Sequence, residues 1–401
     1  MNVSLKNIRQ YVLTRTSGAN PVSLNSVELK RTNELRSEII FGRNSLFNNS
    51  WLASLLHQKE SQHFIITDNK VGDLYAAKVS DFLCKHAVNF DVFTIPIGEK
   101  SKSLRVFENL SSDIIGAGMD KNSYIIGLGG GVVNNIAGFL ASTLYRGVNL
   151  IQIPTSLLAQ VDAAIDFKQA INGPGGKNHI GSYYPAEKII IDPEVLCTLS
   201  HRQLKNGLAE SIKHALTQDW GFCDYLLKYT GNIDEPSFLD NVIVRTVDLK
   251  IMLLNESLNH DYAEMLPQYG HAIGHALEKV SDYKLLHGEA IAIGMCVTAE
   301  IALLLGVCDE STVIDHYKVM RKFGLPMQIP NYIPIDELLA AIRRDKHFCH
   351  GEMKSVLVSR VGSIGHSHGN ECVFSIRDDL IKSAVIKNCS RNVTKRISCA
   401  R

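Results

Sequence analysis

The sequence lacks most of the features that would settle a protein's class at once. Its nine cysteines form no Cys-x-x-Cys pair and their number is odd, which argues against a disulfide framework or a cysteine zinc site. They read as small buried or surface thiols. Neither charge is in excess. Against 42 basic residues stand 41 acidic ones, giving a formal net charge of +1. Nucleic acid and anionic membrane surfaces therefore have no electrostatic claim on the chain. No apolar run approaches the ~20 residues of a bilayer span. The first residues, MNVSLKNIRQYVLTRTSG, lack an apolar signal core. These absences lead to the expectation of a cytoplasmic protein that binds neither nucleic acid nor membrane.

What is present is an ordinary globular composition, 45% hydrophobic and 21% charged, over 401 residues. That length exceeds one hydrophobic core and predicts two domains. Residues 1–35 are polar and read as an N-terminal extension. Across 36–198, short β-branched runs (HFIIT at 63–67, DVFTIPI at 91–97, SYIIGL at 123–128, VNLIQIP at 148–154, KIIIDP at 188–193) alternate with helical spacing at 74–87 and 103–118. Such alternation predicts a parallel sheet covered by helices, an α/β Rossmann-like domain. From 199 to about 385 the apolar period becomes 3.6 residues with few strand signals, which predicts a mostly α-helical second domain. The basic segment 386–401 reads as a disordered tail, an RNA contact being the alternative.

Three clusters carry chemistry. Gly129, Gly130 and Gly131 end one apolar run just before a helical stretch. Glycines there let backbone N–H groups approach a phosphate. The spacing is not GxGxxG, because the sixth position from Gly127 is Val132, so a plain tight turn is equally compatible. Asp68, closing an earlier strand, suits a ribose hydroxyl or a helix cap. In GHAIGHALE, His271 and His275 share a helix face, His287 opens the next helical stretch, and Glu210 and Lys213 share a face of another. Two imidazoles and a carboxylate would make an open metal site, although histidines at this spacing also occur as packing residues. Finally, Arg146, Asp162, Lys168, Gln169, Lys177, Asn178 and Lys250 interrupt apolar or glycine-rich stretches. They are either snorkelling surface groups or, if they converge, a cleft for a phosphorylated polyhydroxy ligand.

Taken together and in order, GEKSKS (98–103), GGGVVNNIAGF (129–139), YRG (145–147), IPTSLLAQVD (153–162), GKN (176–178), GLAESIKHAL (207–216), GHAIGHALE (270–278) and HGEAIAIGM (287–295) resemble the sugar-phosphate cyclases typified by 3-dehydroquinate synthase. The resemblance spans about 40–385. It implies an N-terminal Rossmann-like domain, a C-terminal helical domain and a site in the cleft between them. It implies NAD, one divalent metal (zinc or cobalt), a phosphorylated sugar substrate and a homodimer. Glu210, His271 and His287 match the metal ligands. Asp68, Glu99, Lys102, Gly129, Gly130, Gly131, Val132, Thr155, Ser156, Lys177 and Asn178 match NAD-binding positions. Asp162, Lys168, Lys213, Lys250, Gln268 and His275 match catalytic positions, and Arg146, Asn178 and Lys354 match contacts to the substrate phosphate. The implied reaction oxidises a hydroxyl transiently, eliminates phosphate and closes a carbocycle, with NAD regenerated.

Within that family several positions lean away from dehydroquinate synthase. DFKQAIN (166–172) stands where that enzyme typically has GGKTxIN, and Lys168-Gln169-Ala170, Asn135 and SYYP (182–185) resemble 2-deoxy-scyllo-inosose synthase, which cyclises glucose 6-phosphate. An arginine for the substrate carboxylate is replaced by Glu264, which would repel that group. Gln268 matches neither the Asn usual in one enzyme nor the Glu usual in the other. The alternatives are 3-dehydroquinate synthase itself, an NAD- and metal-dependent polyol dehydrogenase, which needs no phosphate-binding lysines, and a non-catalytic descendant.

Overall fold

A computed structural model describes residues 35–391 apart from 50, 175, 257–260 and 367–370. The expected extension 1–35 is therefore almost wholly outside the described residues, as is the tail beyond 391.

The N-terminal half is built on a six-stranded sheet of β1 (Glu38–Phe41), β2 (His63–Asp68), β3 (Phe90–Ile95), β4 (Tyr124–Gly129), β5 (Asn149–Pro154) and β8 (Lys188–Ile191), in the order β1-β8-β5-β4-β2-β3. Every pairing in it is parallel. All residues of β2 and β4 are buried, which is why these strands read as unbroken apolar runs rather than alternating ones. Helices α1 (Leu52–His57), α2 (Asn69–Val71), α3 (Ala77–Lys85), α4 (Leu104–Gly116) and α5 (Gly131–Thr143) connect the strands. The chain runs outward from β2 to β3 on one side, and from β4 through β5 to β8 on the other. The order thus reverses between β2 and β4, and a crevice opens beyond their C-terminal ends, at Asp68 and Gly129.

An antiparallel hairpin, β6 (Lys168–Gly173) and β7 (Gly176–Tyr183), lies against α5. Its strands, KQAING and GKNHIGSY, carry polar residues and glycine in place of a β-branched run, so the sequence gives no strand signal there. The edge strand β1 escapes notice for a different reason: it is only four residues long.

The second half contains α6 (His201–Gln218), α7 (Trp220–Lys228), α8 (Pro236–Glu256), α9 (Asp261–Met265), α10 (His271–Val280), α11 (His287–Leu304), α12 (Glu310–Lys322), α13 (Ile335–Ile342) and α14 (Asp378–Ser390). It also holds short antiparallel strands: β9 (Phe348–Cys349), β10 (Glu352–Val356) and β13 (Val373–Arg377) form one sheet, and β11 (Val358–Arg360) pairs with β12 (Ser363–Ile364). Mostly helical is the right description, with this β addition. Helix α11 is long and apolar enough by composition to cross a membrane, contrary to expectation, but it is mostly buried in the molecule. It is apolar all round because it is the central helix of the domain.

The boundary drawn at 385 falls inside α14. Residues 386–391 are packed, not loose. Lys387 Nζ lies 3.0 Å from the fully buried Glu300 carboxylate, Arg391 pairs with Glu300 and Glu310, and Asn388 Nδ2 donates to Tyr317 Oη at 2.7 Å. Basic residues that read as a solvated tail are here counter-ions to a buried acid. The cysteines from Cys84 to Cys389 are free thiols, as expected.

Candidate active site

Helix α6 starts at a Ser200 N-cap, whose hydroxyl accepts from Gln203 N, and is buried all round from Asn206 to Thr217, with Glu210 and Lys213 inside that stretch. Asn206 sets the neighbouring helix: its Oδ1 accepts from Gly288 N at 2.7 Å. A side chain at Gly288 would meet the Asn206 carbonyl oxygen at 2.0 Å, so only glycine allows this approach. His287, the first residue of α11, is thereby brought over Glu210. His271, the first residue of α10, arrives from the other side. Its helix starts after Gly270, whose φ of 77° favours glycine.

The result is a compact triad. Ligand-type atoms of Glu210, His271 and His287 all lie within 4.8 Å of one another. Glu210 Oε1 is 3.6 Å from His271 Nε2 and 3.4 Å from His287 Nε2. The opposite ring nitrogens are held elsewhere: His271 Nδ1 donates to the Tyr269 carbonyl oxygen at 3.2 Å, and His287 Nδ1 lies 3.1 Å from Glu278 Oε2. Both Nε2 atoms are thus turned to the centre. Glu210 Oε2 is bound by Lys213, whose Nζ also donates to the Pro267 carbonyl at 2.7 Å. Glu210 Oε1 is buried and has no hydrogen-bond partner among the described residues. An ionised oxygen left in this state is costly unless a cation meets it. Burial opposes its ionisation, but Lys213 and the two imidazoles hold the Glu210 pKa well below the usual carboxylate range. The donor set of two imidazoles and one carboxylate, with space left open, fits a divalent catalytic metal. Burial alone would lower the His287 pKa, yet Glu278 and Glu210 raise it to about 9.

His275, one turn after His271, does not face Glu210. Its Nδ1 lies 3.3 Å from Asp345 Oδ2, and its ring packs edge-on against His271 at 5.4 Å between centroids. It lines a cavity together with Gly176, Lys177, Asn178, Arg344, Asp345 and Lys346. On the same side, Lys250 is buried with its Nζ bound to the Asp162 carboxylate and, at 3.1 Å, to the Asp162 carbonyl. Burial works against both charges, but each partner stabilises the other, and the Asp162 pKa falls to about 2. Asp166 stands between Lys250 (3.7 Å) and Lys168 (3.8 Å). Gln268 follows directly on Pro267, half-buried, and its amide has no hydrogen-bond partner among the described residues.

The nucleotide-type residues gather at the sheet's crevice. Gly129 ends β4, Gly130 is the N-cap of α5, and no side chain caps that helix or places an acid in its first turn, which runs on from Gly131 through Val132. Side chains at 129 and 131 would meet Val133 at 2.5 Å and Ala163 at 3.1 Å. This bare, uncapped helix start fits the pyrophosphate of a dinucleotide. Thr155 N donates to the Gly129 carbonyl at 2.8 Å, and Ser156 follows it. Asp68 closes β2 and caps α2 by accepting from Val71 N at 2.9 Å. Lys102 is buried and donates to Asn135 Oδ1 at 2.9 Å and to Asn178 Oδ1. Burial lowers its pKa to about 8, with Glu99 opposing. Asn172, absent from the candidates, joins this patch by donating to Glu99 Oε1 at 2.9 Å and accepting from Asn178 N at 3.1 Å.

Two candidates stay apart from these contacts. Arg146 is exposed in a left-handed turn after α5. Lys354 is exposed on β10 and its Nζ contacts Ser375 Oγ across the sheet, satisfied by a neighbouring hydroxyl. Sequence reasoning missed Glu278, Asp345, Lys346, Asp166 and Asn172. Glu278 did leave a signal, since it lies seven residues after His271 on the same helix face. Asp166 stands two residues before Lys168, and the others meet the site only through tertiary contacts.

Fold and site define a two-domain protein in which a parallel-sheet crevice faces a helical domain carrying a metal-type triad. Family models for the 3-dehydroquinate synthase N-terminal and C-terminal domains match residues 92–206 and 207–348, and the chain belongs to this family of sugar-phosphate cyclases. The 3-dehydroquinate synthase of Pelobacter propionicus is 37% identical over 301 residues, covering 74% of this chain and 84% of that protein. A crystal structure of 2-deoxy-scyllo-inosose synthase with carbaglucose-6-phosphate, NAD+ and Co2+ superposes with a TM-score of 0.79 at 28% identity, covering 87% of this chain and 96% of the other. The 2-epi-5-epi-valiolone synthase of Streptomyces hygroscopicus subsp. jinggangensis 5008, with NAD+ and Zn2+, gives 0.78 at 25% identity, covering 91% and 100%.

Proposed function

We propose that the protein is a sugar-phosphate cyclase that uses NAD and one divalent metal, zinc or cobalt, and takes glucose 6-phosphate as its substrate, as a 2-deoxy-scyllo-inosose synthase does. The observation that carries the choice of substrate is Glu264. Its carboxylate accepts a hydrogen bond from Tyr183 Oη at 3.3 Å and lies close enough to Lys346 to interact with its charge. A carboxylated substrate here would meet a like charge, and two cations that could have offset it, Lys250 and Arg343, are engaged. Lys250 is held by Asp162, and Arg343 makes a two-pronged pair with Asp378 at 2.8 Å. Glucose 6-phosphate has no carboxylate and loses nothing from this arrangement.

In this reading Glu210, His271 and His287 hold the metal, and the start of α5 with Asp68, Glu99, Lys102, Thr155, Ser156 and Lys177 holds the nucleotide. When bound, the pair supplies reversible hydride transfer at a polarised hydroxyl. Lys213 neutralises the outer oxygen of Glu210 and leaves the inner one for the cation. Lys168, near Asp166, or a water near it accepts the hydroxyl proton. Asp162 keeps Lys250 charged and fixed. His275, oriented by Asp345, can pass a proton, and the free amide of Gln268 can hold a sugar hydroxyl. Asn178, Lys346 and Arg344 offer donors to the phosphate within one chain; Arg146 and Lys354 would require movement or a second copy. A homodimer in the cytoplasm is part of the same proposal.

A second reading, 3-dehydroquinate synthase, is favoured by the names of curated relatives at 33–37% identity. Inorganic phosphate release decides between them. Glucose 6-phosphate should be consumed with no net NADH, and the seven-carbon acid of the shikimate route should not. The reverse pattern makes this a divergent dehydroquinate synthase, and stoichiometric NADH makes it a dehydrogenase.

A further inference from the structure

Besides the Asp162–Lys250 pair, one buried carboxylate links the two halves of the cleft. Glu278, on α10, uses both of its oxygens: Oε1 accepts from Lys177 Nζ at 2.7 Å, and Oε2 lies 3.1 Å from His287 Nδ1. Lys177 belongs to β7 of the N-terminal half, whereas Glu278 and His287 belong to the helical domain. Lys177 is steered towards this position by Glu99, 3.8 Å away, and by the ring of Tyr283, 5.9 Å from its ammonium. No water-filled gap is needed for the two ends to sense each other.

We propose that Glu278 is a positioning residue that couples occupancy of the nucleotide side of the cleft to the strength of the metal triad, through Lys177 on one oxygen and His287 on the other. The proposal rests on the reading that the cleft takes NAD and a divalent metal. While Lys177 stays on Glu278, its ammonium cancels part of the carboxylate's charge and adds positive potential near the triad. A nucleotide phosphate or ribose hydroxyl that draws Lys177 away leaves Glu278 to His287 alone. The imidazole then has a stronger acceptor on Nδ1, which makes its Nε2 a better donor to a cation. By linkage the effect is reciprocal: the metal tightens the nucleotide by the same factor.

The test uses the full-length, metal-stripped protein titrated with Co2+, read by its visible ligand-field absorption, with and without saturating NAD+. In the wild type NAD+ should tighten Co2+ by roughly 5–150-fold, the usual range of coupling between sites. Lys177→Met should bind Co2+ more tightly than the wild type without NAD+, and the NAD+ effect should vanish. Glu278→Gln should weaken Co2+ by about 10–100-fold, as loss of a carboxylate behind a ligating histidine does, and should also lose the NAD+ effect. Either variant keeping the full wild-type response to NAD+ overturns the coupling. If Glu278→Gln fails to fold, Lys177→Met decides alone. A wild type that binds Co2+ and NAD+ independently sinks only this inference; one that binds neither sinks the functional reading with it.

Discussion

Individual side chains carry the chemistry, and two of them give direct tests. His271 contributes one of two Nε2 atoms facing the unpartnered Glu210 oxygen. His271→Ala should lower Co2+ or Zn2+ affinity by more than about a hundredfold, beyond what the loss of an outer-shell contact does. Equilibrium dialysis checks this, and retained metal would remove His271 from the triad. Glu264 stands against an anionic substrate group. Glu264→Arg should raise phosphate release from the carboxylated seven-carbon sugar by at least tenfold relative to glucose 6-phosphate, since like charge becomes a matched fork. An unchanged ratio of kcat/KM would show that Glu264 does not select. Gln268 matches neither branch of the family, yet its free amide beside Pro267 suits a neutral sugar hydroxyl better than a charged group.

Between elements, the junction of α4, α5 and the β6–β7 hairpin stores a pH dependence. Lys102 has a folded pKa of about 8, lowered by burial, against an ordinary value of 10.5. Between those values the unfolded chain binds more protons than the folded one, so this group makes stability rise with pH. Its contribution is complete above 10.5 and is lost as pH falls through 8. Urea unfolding of the wild type minus that of Lys102→Met should therefore grow by as much as ~3 kcal/mol from pH 8 to 10.5. A flat difference would mean that Lys102 is charged and satisfied in the folded state. The hairpin itself was invisible in the sequence. Its polar strands are stabilised by packing on α5, where Gly138 leaves room for the Gln169 side chain, and by Asn172 and Asn178. Apolar β-branched strands announce themselves, and strands held by polar side chains do not.

At the scale of the whole molecule, α14 closes the helical domain against α11. Removing residues 386–401 would leave Glu300 buried without Lys387 and Arg391. An uncompensated buried charge costs about 3–5 kcal/mol, and the truncated chain should lose stability on that order in urea unfolding. Truncation after 391 keeps both partners, and should keep that stability. Equal stability of the two truncations would show that Glu300 is neutral or otherwise satisfied.

The sequence by itself determined the two-domain plan, the buried parallel strands, the glycine-led helix start, and the pairing of Glu210 with two histidines through family resemblance. These are carried by local patterns: periodicity, glycine placement and ligand types at fixed spacing. Only the tertiary structure decided that His275 turns to Asp345 rather than to Glu210, and that Glu278 spans Lys177 and His287. It also decided that Asp166 stands between two lysines and that Arg391 enters the core against Glu300. Apart from Asp166 and Lys168, which are sequence neighbours, these contacts join residues 9 to 101 positions apart, and charge pairing at such separations leaves no period in a sequence, because it depends on which faces the packing of helices brings together.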